Sequence, residues 1–295
     1  TNIDGTIDDF KLRYLDVRWS NICNFKCRSC GPLYSSSWAQ EHGSEKIFTY
    51  AGGVNNDELY KQFEPHFDTI EEFYFAGGEP LLTDKHYDIL EYLIENGRTD
   101  VKLRYNTNMS VLKYKNKNVL DMWKKFSNVY IGASLDSWGP RAEYIRHGTI
   151  WNVIEQNIRT VREQAPHIHM QTNTVVSILN IKTLTEFIDY MLESGLVDVK
   201  NYNPHFYVIM NPEFLSLQLL TDEELADTAK KLTEYANNKG GNIKQSLQTV
   251  INGLKSTLHN PNIIDKFKIT IDHHDRKRKE DGPLTFPELE DLMEE

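Results

Sequence analysis

All three cysteines of this chain fall within eight positions, in the run Cys23-Asn24-Phe25-Lys26-Cys27-Arg28-Ser29-Cys30. An odd, clustered set without distant partners is a poor disulfide framework, and local ligation of a metal centre is the better reading. Three thiolates on one compact loop suit three corners of a cubane iron–sulfur cluster and leave its fourth iron open to an exogenous ligand. An open coordination position belongs to a catalytic centre rather than a structural one. The alternative is a structural zinc site completed by a histidine such as His42. Zinc sites of that kind usually pair two short ligand hairpins, and no second pair exists here.

The cysteine loop follows the first of six short segments rich in β-branched and aromatic residues: approximately 13–19, 70–76, 101–107, 129–135, 168–176 and 205–210. Helical stripes lie between most of them: Ile89, Leu90, Leu93 and Ile94; then Ile150, Val153, Ile154, Ile158 and Val161; then Leu184, Phe187, Ile188, Met191 and Leu192. Strands alternating with helices predict an α/β fold with a parallel sheet, here a partial (βα)6 TIM-like barrel, two units short of the complete eight. After about residue 215 the pattern turns helical. Thr221-Asp-Glu-Glu is an N-cap with an acidic first turn, and an apolar stripe follows at Leu247, Val250, Ile251, Leu254 and Leu258. The expected division is a core barrel over 1–215 and a mainly helical C-terminal extension, a cap, over 216–295.

A net charge of −10 argues against general affinity for nucleic-acid backbones. The one basic run, Arg276-Lys277-Arg278-Lys279, sits among acidic neighbours and reads as a solvated loop. No apolar stretch is long enough for a membrane helix and no basic-then-apolar leader opens the sequence, so the expected location is cytoplasmic, with no membrane partner.

Further motifs close successive strands. Ala76-Gly77-Gly78-Glu79-Pro80 follows the second, and its glycines allow close backbone approach to a ligand. Thr107-Asn108 ends the third strand and Ser134-Leu135-Asp136 the fourth; singly, such short polar residues are ordinary turn formers. Together they stand at the carboxyl edge, where α/β sheets and barrels assemble active sites. Cys-x3-Cys-x2-Cys after the first strand, with Gly-Gly-Glu-Pro after the second, resembles the signature of the radical S-adenosylmethionine (SAM) superfamily. Asp136-Ser-Trp-Gly-Pro…Tyr144-Ile-Arg146 resembles a stretch found in its SPASM/twitch branch, whose members often modify peptides or proteins. Ser29 departs from the bulky residue common before the third cysteine.

The resemblance implies a [4Fe–4S] cluster held by Cys23, Cys27 and Cys30. It implies SAM contacts at Gly77, Gly78, Glu79 and Asn108, with Ser134 near the ribose or carboxylate, Arg146 paired with the carboxylate, Asp136 adjacent and Asn173 on the fifth strand. The implied reaction is reductive cleavage of SAM to a 5′-deoxyadenosyl radical, which abstracts hydrogen from a substrate. A peptide or protein substrate is expected; the alternatives are a small metabolite, such as a nucleotide or cofactor precursor, and a non-catalytic iron–sulfur sensor or scaffold. An external flavodoxin- or ferredoxin-like electron donor is expected too. Auxiliary clusters, frequent in that branch, are not, because no cysteine follows Cys30.

Other candidates fare less well. His167 with His169, and His273 with His274, lack a third ligand. Tyr74, Phe75, Tyr105 and Tyr130 read as strand packing. Ser35, Ser36, Ser37 and Trp38 either shape the mouth of the site or cap a helix.

Overall fold

The computed structural model of the protein describes residues 3–43 and 56–293. Six parallel strands form one curled half-barrel in which spatial order repeats sequence order: β1 (Tyr14–Val17), β2 (Glu72–Phe75), β3 (Lys102–Thr107), β4 (Val129–Ser134), β5 (His169–Val176) and β6 (His205–Val208). The partial (βα)6 architecture expected from the alternating pattern is the one observed, with each strand one to three residues shorter than its apolar run. The helices in chain order are α1 (Ser36–Glu41), α2 (Asn56–Phe63), α3 (Asp84–Glu95), α4 (Val119–Trp123), α5 (Gly139–Ile145), α6 (Trp151–Gln164), α7 (Leu184–Glu193), α8 (Asp222–Lys239), α9 (Gly241–Ser256), α10 (Ile264–Arg278), α11 (Gly282–Thr285) and α12 (Glu290–Met293).

Alternation along the strands decides which side chains reach the helices. Phe73, Phe75, Leu103, Tyr105, Val129 and Ile131 are fully buried against the outer layer with Ile89, Leu90 and Leu93 of α3. Burying each such side chain contributes roughly 1.5–3 kcal/mol relative to leaving it in water. The intervening residues Tyr74, Arg104, Asn106, Tyr130, His169 and Gln171 face the concave inside and line a cavity of about 850 Å³. Packing thus accounts for Phe75 and Tyr105 as expected, but not for Tyr74 and Tyr130, which line the open inner face.

The helical stripes form α3, α6 and α7; α6 buries Ile154, Ile158 and Val161, but Val153 and the preceding Ile150 are exposed, contrary to the expected stripe. Thr221 caps α8 through a full capping box, its hydroxyl accepting from Glu224 N while the Glu224 carboxylate accepts from Thr221 N. Helix α9 lies on edge strand β6 with Gly253 against Val208, covering an otherwise open edge. The basic run corrects the sequence expectation. Arg276–Arg278 form the last turn of α10 rather than a solvated loop, and the Arg278 side chain is 1% exposed because it is buried against the acidic Glu41. Among the described residues no helix is long and apolar enough to cross a membrane.

Candidate active site

The loop carrying the cysteines has little regular structure, so its backbone groups need other partners. The segment just after it supplies them. Ser36 N donates to Asn21 O (2.7 Å), the Ser37 hydroxyl to Cys23 O (2.7 Å), the Ser35 hydroxyl to Phe25 O (2.6 Å) and Trp38 Nε1 to Cys27 O (2.7 Å). Ser35 also caps α1, accepting from Trp38 N, as the capping reading expects. The turn after β2 grips the loop from the other side, with Gly78 N donating to Ser20 O and Glu79 N to Ile22 O (2.6 Å).

That contact gives Gly78 a different reason from the one its motif suggests. A Cβ there would lie 2.2 Å from Ile22 O, one residue before Cys23, so the close approach is to the cysteine loop itself. Gly77 sits at φ +113°, where side chains are disfavoured. Glu79, expected among the SAM contacts, is 1% exposed and directs its carboxylate into the protein. It accepts from the Thr107 hydroxyl (2.7 Å), Asn108 N (2.7 Å) and Leu81 N (3.2 Å), joining the ends of β2 and β3. Burial pushes its pKa up to about 7 against the pull of these three donors. Asn108 is likewise committed inward, donating to Asn24 Oδ1 and accepting from both the backbone and hydroxyl of Ser110.

A short antiparallel ladder sets Cys27 opposite Arg146 and Lys26 opposite His147. Arg146 Nη1 points at Cys27 Sγ (3.9 Å). Its Nη2 donates to Asp136 Oδ1 (3.0 Å), and its Nε lies 2.8 Å from Asp136 Oδ2 as an ion-pair contact without hydrogen-bond alignment. Asp136 is 1% exposed and also accepts from Val175 N (2.8 Å). Within the protein, the carboxylate that Arg146 pairs with is Asp136. Burial works against the charge on Arg146, yet Asp136 beside it raises the pKa above that of a free guanidinium.

Two expected site residues keep unused capacity. The Ser134 hydroxyl at the end of β4 has no hydrogen-bond partner among the described residues, and Ser134 sits in register with Asn173 on β5. Asn173 donates to Asn106 Oδ1 (2.6 Å), Asn106 donates to the Tyr74 hydroxyl (2.6 Å), and Asn173 Oδ1 is buried without a partner. This line crosses the inner face over Gly132, where a Cβ would meet Asn173 Nδ2 at 2.1 Å. Sequence reasoning missed Tyr74 and Asn106, although two-residue alternation with Phe73, Phe75 and Tyr105 was the available signal.

The three cysteines are free thiols, Cys27 buried and Cys23 and Cys30 partly exposed. Burial pushes Cys23 up to about 12 and raises Cys27 and Cys30 as well, so they ionise readily only when a cationic centre compensates. No three His, Cys, Asp or Glu side chains among the described residues gather around a point fit for a single ion, and His42 stacks on Trp38 instead. Three soft donors on one pinned loop fit a polynuclear iron–sulfur centre. His167 and His169 line the inner cavity, His169 stacked on Tyr130, while His274 packs edge-on against Trp38.

Comparison with known proteins agrees with this geometry. The family model described as "Radical SAM superfamily" matches residues 17–191. A GTP 3′,8-cyclase of Nautilia profundicola is 27% identical over 194 residues, which is 64% of this chain and 56% of the relative. A GTP 3′,8-cyclase of Sulfurimonas denitrificans is 23% identical over 232 residues, 77% of this chain and 65% of the relative. The chain thus spans less than two thirds of either relative. A solved structure, native anSMEcpe with bound AdoMet and Kp18Cys peptide, superposes with a TM-score of 0.51 at 16% identity, covering 83% of this chain and 63% of that one; the likeness is one of fold.

Proposed function

The chain belongs to the radical SAM superfamily, and from that premise we propose that Cys23, Cys27 and Cys30 hold a [4Fe–4S] cluster at which SAM is bound for hydrogen abstraction from a peptide or protein substrate. When bound, the cluster supplies the electron that cleaves SAM to methionine and a 5′-deoxyadenosyl radical. The protein supplies position and exclusion of water. The observation that carries the reading is the pinned cysteine loop packed on the Gly77–Glu79 turn at the carboxyl edge of the sheet. With the carboxylate of Glu79 turned inward, the amino group of SAM falls to the backbone of Gly77 and Gly78. Ser134 and the free Oδ1 of Asn173 offer polar contacts for the ribose or carboxylate. Asp136 and Arg146 hold the ends of β4 and β5 against the cysteine loop.

The substrate reading rests on the inner cavity. Asn106, Gln171, Asn173, Asn201, Asn203 and Asn242 line it together with Tyr74 and Tyr130. Of its two arginines, Arg104 faces Glu72 at 3.4 Å, and Arg162 shares the wall with Asp198, whose carboxylate is drawn down in pKa by the Asn201 hydrogen bond and by Arg162 as well. Amides and phenols suit the neutral hydrogen-bonding groups of a peptide segment better than a polyphosphate. On this reading the chain is a member of a SPASM/twitch-like branch, with residues 1–215 as the core barrel and 216–295 as a helical cap. With no cysteine beyond Cys30, that cap offers no thiolate to an auxiliary cluster, and an external flavodoxin- or ferredoxin-like donor would reduce the SAM-binding cluster. The sequence likeness to GTP 3′,8-cyclases favours a second reading, a nucleotide substrate. Anaerobic reconstitution followed by assay of 5′-deoxyadenosine release, with candidate peptides in one arm and GTP in the other, decides between them. Release with neither, and none without substrate, would leave only a sensor or scaffold.

A further inference from the structure

The end of α10 reaches back some 250 positions in sequence to grip the cysteine loop, and no part of the reading above uses it. Arg28, the residue after Cys27, has a side chain with 0% exposure. Its Nη2 lies 2.5 Å from Asp275 Oδ1 and 2.7 Å from Glu280 Oε2, its Nε donates to Tyr144 O (3.2 Å), and its guanidinium carbon stands 3.6 Å from the Tyr144 ring centre. Glu280 also holds His147 Nδ1 (2.6 Å), and Asp275 Oδ2 accepts from the Tyr144 hydroxyl (3.1 Å) and Gly282 N (2.8 Å). Three residues from Asp275, Arg278 binds Glu41 through two nitrogens, at 3.2 and 3.0 Å, and its guanidinium lies 5.0 Å over the Trp38 ring. Trp38 in turn holds Cys27 O, while Lys26, the residue before Cys27, lies 3.6 Å from the same Glu41.

We propose that the segment Asp275–Glu280 is a clamp that fixes the cysteine loop around its cluster, with Asp275 and Glu280 as positioning residues acting through Arg28 and Arg278 acting through Glu41 and Trp38. The inference rests on the reading that Cys23, Cys27 and Cys30 hold that cluster. Both neighbours of Cys27 in the chain, Lys26 and Arg28, and the carbonyl of Cys27 itself are tied to this clamp directly or through one residue. A guanidinium sealed from water beside two carboxylates has one low-energy place to be, so the clamp fixes where Cys27 Sγ points. Two-oxygen recognition by Arg278 adds orientation that a point charge lacks.

The test uses the full chain reconstituted anaerobically and reads cluster retention rather than turnover. Asp275→Asn with Glu280→Gln keeps the shape and removes the countercharges. Iron loss to a chelator is compared with that from Leu232→Ala, a core truncation in α8. Loss about tenfold faster than in wild type, the usual scale for outer-shell partners of metal ligands, with an altered EPR line shape of the reduced cluster, is the expected result. The Leu232→Ala protein should lose iron at the wild-type rate despite its lower Tm. Equal rates in the double variant and Leu232→Ala would overturn the clamp. Should the double variant fail to fold, Arg278→Lys carries the same comparison: faster iron loss at near wild-type Tm supports the clamp, and an unchanged rate overturns it. A wild-type protein that takes up no cluster refutes the underlying reading instead.

Discussion

Arg146 stands opposite Cys27 in a two-residue antiparallel ladder, its Nη1 3.9 Å from the sulfur and its other two nitrogens turned to Asp136. One guanidinium thus joins a candidate cluster ligand to the carboxylate that also tethers β5 at Val175 N. Because Asp136 is buried, removing it strands a charge. Asp136→Ala should lower unfolding stability by about 3–5 kcal/mol, the usual cost of breaking a buried pair. Arg146→Ala combined with Asp136→Ala should cost less than the sum of the two single changes. A double-mutant cycle by denaturant unfolding of the apo protein measures this, and strict additivity would show that the pair is not coupled.

Two glycines near the cysteines should behave oppositely. Gly78→Ala drives a Cβ to 2.2 Å from backbone at Ile22, which cannot yield without moving Cys23, whereas a Cβ at Gly31 meets nothing within 4 Å. Gly78→Ala should take up little iron on reconstitution, and Gly31→Ala should load as wild type does. Iron and sulfide analysis of the two variants checks the pair. Full loading of Gly78→Ala would mean the turn is free to shift away from the loop.

Much of this was legible beforehand, for reasons that differ from residue to residue. The six strands announced themselves because each is a short run rich in β-branched and aromatic residues, and three cysteines on one turn have few chemical uses. The order of the site motifs was legible because each closes a strand at one edge. What escaped was pairing across long separations. Arg278 looked solvated like its neighbours because the sequence gives no hint that Glu41 lies beside it. Nor does the sequence announce that Gly78 packs against Ile22 O. The pairing of Arg146 with Asp136, ten residues upstream, was equally hidden.

His274 should make the fold sensitive to mild acid. Its ring is buried edge-on against Trp38, and burial, reinforced by Arg278 and Arg28, holds its pKa down to about 3, with Glu41 opposing and His273 adding slightly. A histidine depressed from 6.5 contributes stability that is complete above that value. The contribution is lost progressively as pH falls from 6.5 towards 3. Glu41, held at about 2 by Arg278 despite the opposing effect of its burial, loses its contribution only below about 4.5. Between pH 7 and 5, therefore, the decline in Tm belongs to the buried histidines, His274 and the equally depressed His86, rather than to Glu41, while Glu79, raised to about 7 by burial, works against it. His274→Phe should make that part of the profile shallower, and an unchanged slope in the variant would assign the decline elsewhere.

The line Tyr74–Asn106–Asn173 separates SAM contact from structure by a single methyl group. Gly132→Ala places a Cβ 2.1 Å from Asn173 Nδ2, 2.8 Å from Asn173 Cγ and 2.9 Å from Asn106 Oδ1, so the whole Asn173 side chain must turn away. The backbone at Gly132 is ordinary strand, so alanine fits the chain there and removes conformational freedom from the unfolded state, worth roughly 0.5–1 kcal/mol. Breaking the Asn173–Asn106 hydrogen bond costs about 0.5–1.5 kcal/mol, so the two effects nearly offset and Tm should shift by only a few degrees. Asn173 Oδ1, buried and without a partner, is displaced in the same movement. If that oxygen contacts SAM, affinity measured by calorimetry on the reconstituted protein should fall about tenfold, the equivalent of one hydrogen bond. Unchanged affinity with altered substrate turnover would place Asn173 in the wall of the substrate cavity alone.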